Sequence, residues 1–327
     1  MATVSVIVPF FQKQTGLLSN AINSVCAQTV DSSIEVLVID DESPVKPEAE
    51  IPDALPDRIR VRVLKQRNGG PGAARNRGLD EVSSETQYVA FIDSDDTWEP
   101  DHLRNAIAAL GDDLDFYFAN HLEPEGVIDE FARRDAIVPS QHCRLDRGSN
   151  CFRFVGDMQD QIIRANVIET STVVLRWSVL GKVRFSQRYR HAFEDHLFWL
   201  DAVRVSRGIA LSTDVECRYG RGVSIWRSSR LGGDLSFRQI VDQLRFLRTL
   251  RSNYATTGLQ QQTLRERLGN LRRRFVEELL HRARRGMPVD WRSSAEIVRF
   301  DPMLLALMVP LAIQIAAHRM NPFRTRR

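Results

Sequence analysis

Three carboxylates within four positions, Asp93, Asp95 and Asp96, close the apolar run Tyr88-Val89-Ala90-Phe91-Ile92. Carboxylates this close raise one another's pKa, so keeping them ionised takes water, a basic partner or a divalent cation. Hard oxygen ligands in the spacing Asp93-Ser94-Asp95 suit Mg²⁺ or Mn²⁺, which is commonly held by one or two carboxylates plus a substrate's phosphates. A solvated acidic turn is the plainer alternative. Three further groups bear on the choice. Asp40-Asp41, followed by Ser43, ends another apolar run, where an acceptor oxygen can take the N3-H of a uracil ring or merely form a turn. Asn68 to Gly78 is a glycine-rich turn that leads into a helix carrying Arg75 and Arg77, a geometry that admits anionic groups at the helix N-terminus. Glu194-Asp195 is either a pair with a proton-accepting member or an acidic helix start favoured by the macrodipole.

The elements that must position these groups alternate. Val4 to Val8 reads as a strand, Leu17 to Ala27 as a helix with apolar residues at helical spacing, and Ile34 to Ile39 as a second strand. Pro44 to Pro56 reads as a loop or poor helix. Ile59 to Leu64 follows as a strand, Gly72 to Val82 as a helix and Tyr88 to Ile92 as a fourth strand. Helix His102 to Leu110, Phe116 to Phe118, a strand Thr170 to Leu175 and a long helical region after Leu235 complete the reading; Glu123 to Asn150 gives no readable pattern. Continuous apolar strands separated by helices predict an α/β fold with a parallel sheet covered on both faces, ligands lying beyond the carboxyl ends of the strands. Pro9, Asp40-Asp41 and Asp93 to Asp95 then share one crevice.

Taken together, VSVIVPFF, VLVIDDES, NGGPGAARNRGL, YVAFIDSDDTWEPDHL and FEDHLFWL resemble the inverting, family 2 nucleotide-sugar glycosyltransferases of the GT-A fold, from about Val4 to Trp226. The resemblance implies a Rossmann-like, mostly parallel sheet sandwiched by helices, with a catalytic domain over residues 1–229, its nucleotide-binding half about 1–110 and its acceptor half about 111–229, and a helical basic extension over 230–327. It implies donor contacts by Pro9, Phe11, Asp41, Asn68, Gly72, Arg75, Asp93 and Ser94. Asp95 would be the direct metal ligand, and Asp93 would hold ribose or a metal-bound water. Asp195 would be the base that takes the acceptor's proton. Trp98, Glu194 and Trp199 are candidates for the acceptor side, and Arg218, Arg221 and Ser224 for a loop over the pyrophosphate. Asp96 is expected only to cap the following helix. Gln12 stands where relatives have Asn, and Glu42 replaces the Gly of a D-D-G-S pattern. The flavour is similar to the succinoglycan-type exopolysaccharide glucosyltransferases. That implies a UDP-sugar donor, a metal ion, a β-glycosidic product and an acceptor linked to polyprenyl diphosphate.

Other classes fit less well. A dinucleotide-binding fold needs glycines after its first strand, and Pro9-Phe10-Phe11-Gln12 has none. The turn at Asn68 lacks the Gly-Lys-Ser/Thr ending of a P-loop. A nucleotidyltransferase needs a basic glycine-rich loop where Gln12-Lys13-Gln14-Thr15-Gly16 stands. A non-catalytic sugar-nucleotide-binding partner stays open at this stage. Cys26, Cys143, Cys151 and Cys217 make no C-x-x-C pair, so a reducing compartment is expected, and the start of the chain reads as a strand rather than a leader.

The overall charge of +3 conceals an asymmetry: from Arg230 onward 19 Arg and no Lys face 8 acidic residues, which leaves −8 on residues 1–229. An acidic body suits a cation. Basic, apolar segments such as Leu264 to Arg285 and Met303 to Ala317 suit a peripheral site on an anionic leaflet, or else an ordinary packed helical subdomain. No nucleic-acid motif accompanies the arginines. The expected location is the cytoplasmic face of the bacterial inner membrane.

Overall fold

A computed structural model describes residues 2–124, 126, 128–134, 136–189, 192–222 and 231–320. The chain divides into two compact units, one of residues 1–190 and 194–223, the other of 191–193 and 224–327.

The first unit runs β1 (Ala2–Phe10), α1 (Leu17–Cys26), β2 (Ser32–Asp40), β3 (Ile59–Lys65), α2 (Pro71–Asp80), β4 (Tyr88–Phe91), β5 (Thr97–Trp98), α3 (His102–Leu110), β6 (Phe116–Leu122) and α4 (Glu130–Arg134). It continues β7 (Cys143–Arg144), β8 (Cys151–Arg153), α5 (Met158–Arg164), β9 (Val174–Arg176), α6 (Trp177–Leu180), α7 (Glu194–Val205) and β10 (Ile209–Arg218). The strands join one sheet in the order β3-β2-β1-β4-β9-β6-β10-β8-β7, with β5 paired to β10.

The parallel run expected from the apolar strands is present from β3 to β4. Beyond it the sheet is mixed, because β9 enters antiparallel to both β4 and β6. Val4, Val6, Ile7 and Val8 are all at most 1% exposed, so β1 is buried on both faces. That burial explains its mostly apolar sequence, in which the buried Ser5 is satisfied by the Thr86 hydroxyl at 2.8 Å. Helix α1 packs Leu18, Ala21, Ile22 and Val25 inward, and each fully buried Leu, Ile or Val contributes about 1.5–3 kcal/mol. Its N-terminus is capped from a distance: Glu50, in a short 3-10 turn at Pro47–Glu50, accepts from Gly16 N at 2.8 Å and Leu18 N at 2.9 Å. The loop expected over Pro44 to Pro56 therefore contains a buried anchor. Likewise Thr170–Thr172, expected as strand, is a 3-10 turn leading into β9.

The second unit is helical: Ser236–Asn253, Gly258–Arg285, Trp291–Phe300 and Met303–Met320. A capping box of Thr257 and Gln260 starts the longest helix, and Gly286 at φ 62° ends it. Several arginines are structural here. Arg282 Nε donates to the buried Glu278 at 2.6 Å, and Arg272 grips Asp301 with bonds of 2.6 and 2.8 Å.

Candidate active site

The carboxyl ends of β1, β2 and β4 meet at one edge, since Phe10 pairs with Asp40 and Ile7 with Phe91. Gln12 ties the three ends together. Its Nε2 donates to Ser94 Oγ at 3.0 Å, and its backbone N donates to Ser43 Oγ at 2.9 Å. The Asn-to-Gln departure thus preserves a side-chain amide, used as a strut.

Asp41 is 3% exposed, and its carboxylate accepts from Gln66 Nε2 (2.8 Å), Gly69 N (2.8 Å) and Gly70 N (2.9 Å). It therefore anchors the glycine turn that starts α2, while Asn68 Nδ2 donates back to Asp41 O at 2.8 Å. Glu42 has φ 58°, in the left-handed region, which explains why glycine suits this position. The strain, about 1–2 kcal/mol, is opposed by the bond from Asn68 N to Glu42 Oε2 at 3.0 Å.

Arg75 joins two motifs 100 residues apart. Only 4% exposed, it donates through Nη2 to Asp93 Oδ1 at 2.7 Å and through Nη1 to Glu194 Oε1 at 3.2 Å, with its guanidinium over the Phe185 ring. Burial opposes its charge, but Asp93 and Glu194 more than compensate and keep it protonated. Gly72 permits this approach, since a Cβ there would lie 2.9 Å from Glu194 Cγ. Arg77, by contrast, is exposed and pairs with Glu81 on its own helix.

The acidic cluster divides differently from expectation. Asp93 is half-exposed, with its N–H donated to Ser171 Oγ at 2.9 Å. Asp95 is raised by burial first and Asp93 second, and its Oδ2 accepts from Gly222 N at 2.7 Å. Asp96 does not cap α3, whose N-cap position is Asp101. It is 5% exposed, accepting from Ser171 Oγ at 2.5 Å and Gly220 N at 2.9 Å, and burial with its two carboxylate neighbours pushes it well up. The reason is backbone proximity: a Cβ on Gly220 would lie 1.6 Å from Asp95 O, and one on Gly222 2.5 Å from Asp95 Oδ2. Gly220→Ala is therefore expected to unseat residues 219–222 from the acidic turn and destabilise the first unit by about 1–3 kcal/mol, as measured by thermal unfolding; an unchanged Tm would contradict this packing.

Glu194 and Asp195 open α7. Burial and Asp195 push Glu194 up to about 7, with Arg75 opposing. Asp195 is also raised by burial, but His196 and Arg75 outweigh that and bring it to about 2; its Oδ1 accepts from His196 N at 2.7 Å and faces His196 Nδ1 at 2.9 Å. The pair titrates in two steps, Asp195 first, so at least one carboxylate is ionised at neutral pH and the second step falls near pH 7.

Three expectations need correction. Trp98 is 5% exposed, donating Nε1 to Ser171 O at 2.6 Å, and Trp199 is 0% exposed among Phe91, Phe116, Phe185 and Phe198. Both are core, so neither presents a face to a sugar. Arg218 pairs with Glu99 at 2.6 Å and not with the acidic turn. Arg221 lies between the two glycines that contact Asp95 and Asp96; Ser224 lies outside the described residues. Pro9 and Phe11 flank the end of β1, both half-buried, and Ser94 is buried against Gln12. Ser171, Gly220 and Gly222 are site residues that the motifs missed. Alternating glycines in Tyr219-Gly220-Arg221-Gly222 were the one available signal.

The family model "Glycosyl transferase family 2" matches residues 5–178, which includes the acidic turn and the Arg75 helix. The chain belongs to glycosyltransferase family 2. This family 2 glycosyltransferase is 32% identical over 316 residues, 96% of its length and 98% of the relative's, to succinoglycan biosynthesis protein ExoW of Rhizobium meliloti strain 1021. Over 27% of its length it is 43% identical to succinoglycan biosynthesis protein ExoO of the same organism, covering 24% of that protein. Among solved structures it is similar to S. aureus TarS 1–349 in complex with UDP-GlcNAc, with a TM-score of 0.59, 18% identity, and coverage of 100% of this chain and 93% of that one. It is also similar to the mannosyltransferase PcManGT of Pyrobaculum calidifontis in complex with GDP-Man and Mn²⁺, with a TM-score of 0.56, 13% identity, and coverage of 99% and 88%. The fold is GT-A, and the enzyme is a glycosyltransferase.

Proposed function

We propose that this glycosyltransferase moves a hexose, glucose in the first instance, from a UDP-sugar to a growing lipid-linked exopolysaccharide with inversion, forming a β-glycosidic bond. The Arg75 bridge between Asp93 and Glu194 carries the reading, because it joins the end of the sheet that suits a diphosphate to the pair that suits proton transfer. The 32% identity to a succinoglycan biosynthesis protein supports the polysaccharide class, and the UDP-GlcNAc complex of the similar fold supports a uridine donor.

A divalent cation fits the donor set. Asp93, Asp95 and Asp96 put three carboxylates in one turn with Arg75 as a near cation, and Asp95 and Asp96 are raised first by burial and then by their carboxylate neighbours, a charge that Mg²⁺ or Mn²⁺ would balance. Asp95, with Asp93, would hold it, and its contribution would be neutralising the departing diphosphate. Asp41, Asn68, Gly72 and Arg75 would frame the nucleotide. Asp195 would accept the proton from the attacking hydroxyl, while Glu194 fixes Arg75. Asp95→Ala is expected to raise the Mn²⁺ concentration for half-maximal UDP release at least about 10-fold. Wild-type release from UDP-glucose with acceptor after EDTA treatment would overturn the metal assignment. A panel of UDP-sugars assayed for UDP release tests the donor.

Glu194 also makes a pH signature. Its folded pKa of about 7 lies above the ordinary 4.5, so the stability it confers is fully present below about pH 4.5 and is lost as pH rises through about 7. Tm should therefore fall across that window, and Glu194→Gln should flatten this component. An identical slope in the variant would refute it.

Membrane attachment is proposed as peripheral, at the cytoplasmic leaflet. Among the described residues no single helix is long and apolar enough to cross a membrane. Leu305, Val309 and Ile313 repeat every fourth residue on the last helix and are 61–68% exposed, an apolar stripe that suits shallow burial in a leaflet.

A further inference from the structure

Helix α7 starts at Glu194, so the backbone N–H of His196 is among those at a helix start that find no acceptor within the helix. Asp195 Oδ1 accepts it at 2.7 Å. The His196 ring comes back to the same oxygen, with Nδ1 at 2.9 Å from Oδ1. Burial raises Asp195, but His196 and then Arg75 bring it to about 2, and an ionised carboxylate has no hydrogen to give. Nδ1 therefore carries the hydrogen and donates.

Both hydrogen bonds that Asp195 accepts among the described residues thus fall on one atom. A carboxylate oxygen offers two lone pairs, and two N–H donors fill them. Arg75 acts on Asp195 through its charge, its bonds going to Asp93 and Glu194. The Asp195 side chain keeps 23% of its surface exposed, whereas that of Glu194, at 9%, is turned to Arg75. Oδ2 is the basic atom left to meet a substrate hydroxyl.

We propose that His196 is a positioning residue for the transfer: by holding Oδ1 from both its ring and its backbone, it fixes the Asp195 rotamer and leaves Oδ2 as the atom that takes the acceptor's proton. The inference rests on Asp195 as the base, proposed above. In the transfer the acceptor oxygen bonds to the anomeric carbon, and the bond from that carbon to the diphosphate breaks with its electron pair staying on the diphosphate oxygen. The hydroxyl proton passes to Oδ2. His196 takes no proton in this step, because Nδ1 already carries one; the proton leaves Oδ2 for water, which the partial exposure of Asp195 admits. Misplacing a reacting group by about 1 Å costs on the order of 10²-fold, so holding one rotamer is a measurable part of the rate.

Asparagine places an N–H donor as many bonds from the backbone as histidine Nδ1, which supplies a conservative variant. The full chain is assayed with UDP-glucose and Mn²⁺, octyl β-glucoside supplying the hydroxyl. His196→Ala should lower kcat at least about 10-fold while UDP affinity stays within about twofold of wild type, and His196→Asn should retain at least about a third of the wild-type kcat. In an Asp195→Asn background His196→Ala should cost less than about twofold, because a residue that acts through the base adds little once the base is gone. Independently of turnover, the nitrogen resonances of the His196 ring in alkaline buffer should place its hydrogen on Nδ1. No loss in His196→Ala, equal losses in the Ala and Asn variants, a loss of kcat matched by a loss of UDP affinity, full additivity with Asp195→Asn, or a ring hydrogen on Nε2 alone would each overturn the proposal. These outcomes are distinct from failure of the base itself, which Asp195→Asn reports with His196 intact.

Discussion

Asp195→Asn is expected to lower kcat for sugar transfer by about 10³-fold while leaving UDP affinity within about twofold of wild type. A positioned general base contributes about 10²–10⁴-fold, and an amide of the same shape keeps the contacts but cannot take a proton. The environment keeps it in the form a base needs: burial would raise Asp195, but His196 and then Arg75 bring it to about 2, so the carboxylate is ionised at neutral pH. Stability linked to Asp195 is correspondingly present above the ordinary 3.8 and lost only as pH falls through about 2. Single-turnover assays with UDP-glucose and acceptor separate chemistry from binding. Transfer within tenfold of wild type would remove Asp195 as the base and direct attention to Glu194.

Arg75→Met should destabilise the first unit by about 3–5 kcal/mol, the usual cost of removing one member of a buried pair. That corresponds to a Tm lower by about 6–20 °C. Glu194, whose carboxyl already sits at about 7 and rises further without Arg75, can take a proton instead, so its share of the cost grows as pH rises above about 7, while Asp93 at 38% exposure is partly screened by water. Above about pH 7 the double variant Arg75→Met/Glu194→Gln should recover part of the loss, because there it no longer buries a carboxylate that lacks its cation. A Tm shift below about 2 °C in the single variant, or no recovery in the double, would show that the bridge does not hold the site.

The part of this architecture most legible in the sequence is the part with local causes. β1 and β2 are buried on both faces, so their apolar runs mark them and place Pro9 and Asp40 at their ends. Helix His102–Leu110 follows its own periodicity. What depends on distant partners was hidden. Asp96 reads as a helix cap because Gly220, which binds it, lies 124 positions away. Trp98 and Trp199 look available beside acidic motifs, yet whether an aromatic ring is core depends on what packs over it, here Ser171 and a cluster of phenylalanines. β10 resisted reading because Glu216, in its interior, is satisfied by His102, Asn105 and Tyr117, which makes a buried strand look polar.

The bond from Gly222 N to Asp95 Oδ2 sets up a competition. The oxygen that would serve a cation already accepts a hydrogen bond, and one to a charged group contributes about 1.5–3 kcal/mol. To the extent that a cation must displace this N–H, its affinity falls by about 10–100-fold, and by reciprocity a bound cation loosens the grip on residues 219–222 by the same factor. Metal occupancy and the position of this segment then form a single equilibrium. Exchange protection of the Gly222 amide, followed as Mg²⁺ is added, should fall if they are coupled in this way and stay constant if they are not.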